Sequence, residues 1–479
     1  MHRILEKERH GYGMNTKRVM IAAPKSGSGK TIVTCALLWA LKSKGWNVVS
    51  CKCGPDYIDP MFHEKVIGIP SENLDTFFTG EGRTRELFFR HTVNSDFAVL
   101  EGVMGLYDGL GGVREEGSSY HLAKITETPV ILVVDAKGMG RSLVSLIAGF
   151  LAYDREHLIR GVLLNRISKG YYEVVKPLIE EELKIPVTGF LPEREEWKIE
   201  SRYLGLRMPG EEKDIRERLQ AVSEEFKKNV SIGNIINIAG SAAKPGTDRG
   251  PVKMEQKTDG KGGRKTDGPV IAVARDEAFC FYYRDNLLLL EESGAKIRYF
   301  SPLRDEKLPE RCHGLLLGGG YPELFAGRLS ENSKIRTAVR KAVENGMPVV
   351  AECGGFMYLH SSLTDKEGVS YDMAGVIPGT CFYTGKAVRF GYVEIQEKKS
   401  YFLPKDGKIK GHEFHYYDST CNGEDAVAVK PVTGREYSCM IEGEMRWMGF
   451  PHLYYPSNPD FAKAFVEKAQ RYKKGMAQE

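Results

Sequence analysis

The sequence predicts an α/β protein of two domains, and three observations carry that expectation. Short β-branched apolar runs alternate with longer helical runs from residue 18 to about 191, the alternation breaks over 239–269, and it resumes from residue 270. At 479 residues the chain exceeds the size at which one hydrophobic core keeps growing, so two cores are the natural solution. In the first segment strands are expected at 19–23, 48–51, 97–100, 130–134, 161–165 and 187–190, with helical stretches at 31–42, 118–126, 142–153 and 174–183. Strands that alternate with helices in this way pair in parallel, giving a doubly wound sheet covered on both faces.

A polar helical piece is expected around 211–228, and the stretch 239–269, rich in Gly, Lys and Asp without a hydrophobic period, reads as a flexible linker. The near-repeat of Thr-Asp-Gly at 258–260 and 266–268 is low-complexity drift and is assigned no chemistry. Beyond it, strands are expected at 270–274, 296–300, 314–317 and 348–351, and helices at 283–293 and 333–345. After Met373 the runs turn strand-like, including 393–396 and 426–429, which predicts a mixed or antiparallel sheet before a last helix at 458–472. The expected organisation is an N-terminal extension (1–17), a first domain (18–238), the linker (239–269) and a second domain (270–479).

Composition excludes several classes. Hydrophobic residues at 42%, charged at 28% and aromatic at 10% are those of an ordinary globular protein, neither disordered nor fibrous. The 68 basic and 64 acidic residues leave a net charge of +4, which gives no argument for a nucleic-acid or membrane partner. No apolar run approaches the roughly 20 residues that span a bilayer, and the N-terminus lacks the apolar stretch of a secretory signal, so a cytoplasmic location is expected. Nine cysteines without framework spacing predict reduced thiols, and the one close pair, Cys51 and Cys53, has no second pair at zinc spacing. A homodimer is compatible with the sequence.

Directly after the first strand comes Ala23-Pro24-Lys25-Ser26-Gly27-Ser28-Gly29-Lys30-Thr31, opening a helix. Small residues let successive backbone N–H groups curl around a phosphate, Lys30 can reach terminal phosphates, and the Thr31 hydroxyl can ligate Mg²⁺. Pro24 replaces the first glycine of the usual P-loop pattern, and Lys25 adds a second lysine of undecided role. A Mg²⁺ ion on phosphates requires hard oxygen ligands, and Asp56, after the second strand, and Glu101, at the end of the third, fall at the carboxyl ends of strands where such ligands collect. Carboxylates that merely cap loops are the alternative for either residue.

In the second domain, Val349-Val350-Ala351-Glu352-Cys353-Gly354-Gly355 is an apolar strand, one residue at a sharp turn, two glycines and then a helix. That layout presents a nucleophile, here the Cys353 sulfur, at a helix N-terminus, where the dipole favours thiolate and the amide of Gly354 can hold an oxyanion. The glycine turn Gly318-Gly319-Gly320 after a neighbouring strand is expected to supply a second donor near Gly319. A thiolate nucleophile needs a histidine, and His412, His415 and His452 are the downstream candidates, which the residues alone do not rank.

Together these motifs resemble the cobyrinic acid a,c-diamide synthase family. The blocks are GSGKT, GPDYIDP, EGVMGLYDG, LLNR (163–166), SRYLGL (201–206), ARDEAFCFYY (274–283), GGGYPE, ECGGFMYL, GHEFHYY and PHLYYPSNP, in order over about residues 18–468 with the linker excepted. The resemblance implies a dethiobiotin-synthetase-like ATP-binding amidoligase domain joined to a class I glutamine amidotransferase-like domain of the Triad type. It implies that Ser26, Gly27, Ser28, Gly29, Lys30, Thr31 and Asn165 bind ATP. By the same likeness Thr31, Asp56 and Glu101 hold Mg²⁺, and Tyr57, Asp59 and Asp108 face the substrate carboxylate and its acyl phosphate. Cys353 is the implied nucleophile and His452 its implied base.

The implied substrates are a tetrapyrrole polycarboxylate, glutamine and ATP, with amidation at the a and c acetates. Ordinary class I glutaminases carry His-x-Glu, whereas Tyr454 stands two residues after His452, which leaves the orienter of the imidazole unidentified. Rival readings are a hydrogenobyrinic acid or nickel-sirohydrochlorin a,c-diamide synthase, cobyric acid synthase, and a partitioning-type ATPase switch carrying a degenerate second module.

Overall fold

The computed structural model describes residues 16–197, 215–242 and 268–476. The chain divides into two compact units, 1–256 and 257–479.

In the first unit seven strands form one all-parallel sheet. They are β1 (Lys17–Ala22), β2 (Val48–Cys53), β3 (Ser71–Leu74), β4 (Phe97–Glu101), β5 (Val130–Asp135), β6 (Ile159–Asn165) and β7 (Val187–Leu191), in the order β3-β2-β4-β1-β5-β6-β7. Helices cover the sheet: α1 (Lys30–Ser43), α2 (Ile58–Phe62), α3 (Thr76–Thr92), α4 (Ser119–Ile125), α5 (Ser142–Tyr153), α6 (Lys169–Leu183), α7 (Ile215–Asn229) and α8 (Ile232–Gly240). Val19, Met20, Ile21 and Ala22 of β1 are wholly buried, as expected of a central strand covered on both faces. From β1 the order runs to β4, β2 and β3 on one side and to β5, β6 and β7 on the other. The carboxyl end of β1 is therefore the point where the winding reverses and a ligand crevice opens.

All six expected strands are present, and β3 is an addition. Its sequence, Ser-Glu-Asn-Leu, has no β-branched run, so only its pairing along β2 at the sheet edge identifies it. Glu101 consequently ends the fourth strand in chain order, not the third. Helix α3 is bent at Gly80 (φ 66°) and capped by Asp75, whose carboxylate accepts from the Phe77 and Phe78 amides. Helix α8 runs to Gly240, two residues into the stretch expected as linker. Most of the N-terminal extension, the SRYLGL block and the Thr-Asp-Gly repeats except Gly268 lie outside the described residues.

The second unit is built from β8 (Val270–Ala274), β9 (Lys296–Phe300), β10 (Gly314–Leu317), β11 (Val349–Glu352), β12 (His360–Thr364), β13 (Ser370–Asp372), β14 (Ile377–Tyr383), β15 (Arg389–Glu397), β16 (Lys408–His415), β17 (Tyr417–Ser419), β18 (Ala426–Val429), β19 (Glu436–Cys439), β20 (Ile441–Gly443), β21 (Arg446–Gly449) and β22 (His452–Leu453). Its helices are α9 (Arg284–Glu292), α10 (Ala326–Glu331), α11 (Ser333–Glu344), α12 (Gly354–Leu359) and α13 (Pro459–Met476). A six-stranded sheet, β20-β21-β11-β10-β8-β9, is parallel except for β20, which runs against β21. Two smaller sheets, β13-β12-β14-β17 and β19-β18-β15-β16-β22, supply the expected mixed and antiparallel part, which begins at His360 instead of after Met373. One core cluster packs Trp447 against Phe402 and Phe461, with ring centroids 5.7 and 4.9 Å away.

Candidate active sites

Between β1 and α1 the chain turns through Gly27 (φ 74°) and Gly29 (φ 93°), a backbone region glycine enters without strain. Asn165, at the end of β6, donates through Nδ2 to the Ser28 carbonyl at 2.8 Å. A Cβ on Gly29 would stand 2.1 Å from that Nδ2, so only glycine lets the brace form. Ser28 Oγ donates to the Lys25 carbonyl at 3.0 Å, while Lys25 and Ser26 are exposed. Lys30, the first residue of α1, is buried and directs Nζ to the Met104 carbonyl at 2.5 Å and to the Lys25 carbonyl at 3.4 Å. Burial and then the nearby Lys52 charge lower its pKa to about 8, against the pull of Glu101, Asp59 and Asp108.

A buried cluster of charges lies beside the loop. Thr31 Oγ1 donates to Glu101 Oε1 at 2.6 Å and to Asp59 Oδ2 at 3.4 Å. Lys52 Nζ sits among the carboxylates, 2.5 Å from Asp59 Oδ2, 3.0 Å from Glu101 Oε1 and 4.0 Å from Asp56 Oδ2. Burial opposes the Lys52 charge, but Asp59, Glu101 and Asp56 outweigh it and hold the ammonium pKa well above its ordinary value. Glu101 is likewise penalised by burial, yet Lys52, His63 and Thr31 keep it ionised, whereas burial and the repulsion of Asp56 and Glu101 push Asp59 up. His63 Nε2 lies 3.3 Å from Glu101 Oε2, and its other nitrogen meets Ser50 Oγ at 2.9 Å.

The residues proposed from sequence for this site divide into two groups. Thr31, Glu101 and Asp59 share contacts directly, and Lys30 and Asp108 lie within the same electrostatic field. Asp56 instead turns Oδ1 back to accept from the Ile58 and Asp59 amides at 2.8 and 3.1 Å, the loop-capping alternative, with Oδ2 toward Lys52. Asp108 Oδ2 accepts from the Gly105 amide at 2.9 Å, and Tyr57 is buried at the start of α2. Thr31, Glu101 and Asp56 Oδ2 are hard oxygen donors of the kind Mg²⁺ takes, and the Lys52 ammonium lies among them. Sequence reasoning missed Lys52 and His63. Residues two apart share a strand face, so Cys51 and Cys53 point one way and Lys52 the other, toward Glu101.

In the second unit Cys353 follows β11 with φ 46°, and it is the N-cap of α12. A left-handed non-glycine residue of this kind costs on the order of 1–3 kcal/mol and is held by its surroundings. The Cys353 amide donates to the Gly449 carbonyl at 2.9 Å, and the Met357 amide returns to the Cys353 carbonyl at 2.9 Å. The glycines after it are obligatory: a Cβ on Gly355 would lie 2.0 Å from the Leu317 carbonyl oxygen, and one on Gly354 2.9 Å from Pro322 Cδ and 3.1 Å from Gly320 N. The Gly319 carbonyl accepts from the Cys280 and Phe281 amides, both at 3.0 Å, which turns the opposite side of that planar peptide, the Gly320 N–H, away from them. The Gly318 amide is taken by Tyr282 Oη at 2.9 Å.

His452 reaches the same glycine turn from β22. A Cβ on Gly319 would stand 2.3 Å from His452 Cε1, so the imidazole lies directly over Gly319 while Gly354 lies against Gly320. His412 sits opposite His452 in the β16–β22 ladder and stacks on it at 4.9 Å, with Nδ1 3.1 Å from Tyr283 Oη. His415 lies flat on Phe450 at 4.1 Å, with Nδ1 2.6 Å from the Tyr417 carbonyl and Nε2 3.7 Å from Glu413 Oε1. Of the three candidate bases, His452 is the one brought to the glycine turn. Burial, then His415, lowers its pKa to about 3 against the pull of Glu413, and burial followed by Glu323 raises the Cys353 thiol. Burial thus favours a neutral imidazole at His452 and a thiol at Cys353, with the Gly354 amide donating to the sulfur.

Comparison with known proteins identifies both units. Residues 19–204 match the CobQ/CobB/MinD/ParA nucleotide binding domain, and residues 270–449 match the CobB/CobQ-like glutamine amidotransferase domain. The cobyrinate a,c-diamide synthase of Caldanaerobacter subterraneus subsp. tengcongensis is 38% identical over 95% of this chain and 98% of its own length. Those of Listeria innocua and Thermoplasma volcanium are 39% and 37% identical, over 92% and 96% of this chain and 97% and 99% of theirs. Among the described residues no helix is long and apolar enough to cross a membrane. A nucleotide-binding unit and a glutamine amidotransferase unit, matched end to end by such relatives, make this chain a glutamine-dependent, ATP-using ligase that belongs to the cobyrinate a,c-diamide synthase family.

Proposed function

We propose that the protein converts the a and c acetate carboxylates of cobyrinic acid into carboxamides, using ATP to activate each acid and glutamine to supply each nitrogen. The observation that carries this reading is the pairing, in one chain, of a braced phosphate loop with a strained cysteine turn faced by a histidine. We assign residues 18–238 to carboxylate activation, 239–269 to a linker and 270–479 to glutamine hydrolysis.

In the second unit Cys353 gives its proton to His452 and the sulfur adds to the side-chain carbonyl carbon of glutamine. Backbone N–H groups of Gly354 and the Gly319-Gly320 turn receive the developing oxyanion. Collapse expels ammonia, which takes up the proton held by His452, and water then cleaves the thioester to glutamate. Burial that keeps both groups neutral at rest ensures that the charge pair forms only as the reaction proceeds.

In the first unit the loop amides of Ser26 to Lys30, with Asn165 bracing them, hold the phosphates of ATP. The substrate carboxylate attacks the terminal phosphorus, ADP leaves, and ammonia displaces phosphate from the acyl phosphate to give the amide. Lys30 and Lys52 offset charge on the transferred group, and Tyr57, Asp59 and Asp108 face the substrate. Thr31, Asp56 and Glu101 would hold Mg²⁺, which supplies charge neutralisation at the phosphates.

The test is nitrogen-source dependence. Cys353→Ala should lose glutamine-driven amidation while ammonia-driven amidation persists at the wild-type rate; equal loss with both sources would contradict the division of labour.

A further inference from the structure

Glu352 immediately precedes the nucleophile and is only 4% exposed. Strand alternation turns it to the same side as Val350, whose cluster includes Leu453 and Tyr455. Its carboxyl accepts from the Leu453 amide and, at Oε1, from Tyr455 Oη at 3.3 Å. These partners are the first and third residues after His452. The same segment is held from a second direction by Asn286, which donates to the Leu453 carbonyl at 2.8 Å and accepts from the Tyr455 amide at 2.8 Å. A carboxyl fixed to β11 thus spans the gap between the strand that presents the sulfur and the strand that presents the imidazole.

We propose that Glu352 is a positioning residue for glutamine hydrolysis, tying the histidine-bearing segment 452–455 to the nucleophile turn. The inference rests on the assignment of Cys353 and His452 as nucleophile and base. The titratable groups facing the carboxyl are the Cys353 thiol on its own turn, the Tyr455 hydroxyl after β22 and the Tyr282 hydroxyl before α9. Burial raises all three and a charged Glu352 raises each further, while on the thiol Glu323 acts ahead of Glu352 and Glu413 after it. Burial first, opposed by the Leu453 amide and Tyr455, pushes Glu352 itself up to about 8, so it stands beside the sulfur as a neutral acid below that pH. Ionisation above it places a negative charge next to the forming thiolate and suppresses the nucleophile.

The experiment is the pH profile of glutamine hydrolysis by the full chain carrying Glu352→Gln or Glu352→Ala, with Cys353→Ala as reference. Wild type should decline on the alkaline side around pH 8, and Glu352→Gln, which keeps an uncharged acceptor, should retain kcat near neutrality and lose that decline. Glu352→Ala should lower kcat on the order of 10²-fold with KM little changed, because the imidazole is no longer held in register. Ammonia-driven synthesis should be unaffected in both. An unchanged alkaline decline in Glu352→Gln, or wild-type kcat in Glu352→Ala, would overturn the proposal. If Glu352→Ala does not fold, the Glu352→Gln profile decides alone. Glutamine hydrolysis that survives in Cys353→Ala would overturn the nucleophile assignment and the proposal with it.

Discussion

Lys52 is the residue on which the buried charge of the first site depends. Three carboxylates lie within 4.0 Å of its ammonium, and two of them, Asp59 and Glu101, have almost no contact with water. Removing one partner from such a cluster leaves uncompensated charge in a low-dielectric interior, at a cost of about 3–5 kcal/mol. Lys52→Met should therefore lower the denaturant midpoint by that equivalent, and an unchanged midpoint would show that the carboxylates are neutral without it. Glu352 has the opposite sign. Its folded value near 8 exceeds the ordinary 4.5, so the folded protein holds a proton that the unfolded chain releases between those values. Stability should fall as pH rises from 4.5 toward 8 and level off above, since the unfolded state binds fewer protons there. Urea titrations across that window should show a shallower slope in Glu352→Gln than in wild type, the remainder coming from other buried carboxyls such as Glu323 and Glu442.

At the scale of elements, both sites are turns that tolerate no side chain at chosen points. Gly319→Ala would drive a methyl into the His452 ring, and glutamine-driven activity should fall on the order of 10²-fold while ammonia-driven activity survives. Gly29→Ala strains a left-handed position and collides with Asn165, so calorimetric affinity for a non-hydrolysable ATP analogue should be lost, with glutamine hydrolysis intact. These turns were legible in sequence because glycine at fixed offsets after an apolar run has few other uses. The strands around them were less so. The polar β3 is defined only by its neighbour β2, and α8, although apolar, abuts the linker composition that begins at Ala239. Lys52 was hidden between two cysteines that drew attention to metal spacing, and its role follows only from the parallel pairing that sets Lys52 opposite Glu101. His63 was unreadable for the same reason, since its partners Ser50 and Glu101 come from two different strands.

For the whole molecule the claim is that two chemistries on one chain serve one product. The ATP-binding unit alone explains hydrolysis of a nucleotide and the cysteine unit alone explains hydrolysis of glutamine, but neither makes an amide. The ranking of His452 above His412 and His415 followed from family likeness in sequence; among the described residues, β22 carries the His452 imidazole over the glycine turn. The most direct measurement is mass spectrometry of the product after incubation with ATP, Mg²⁺, cobyrinic acid and glutamine labelled with ¹⁵N at the amide. The account predicts two successive exchanges of a carboxyl hydroxyl for an amino group, both carrying the label. Substrate recovered at its original mass while ATP and glutamine are consumed would contradict it.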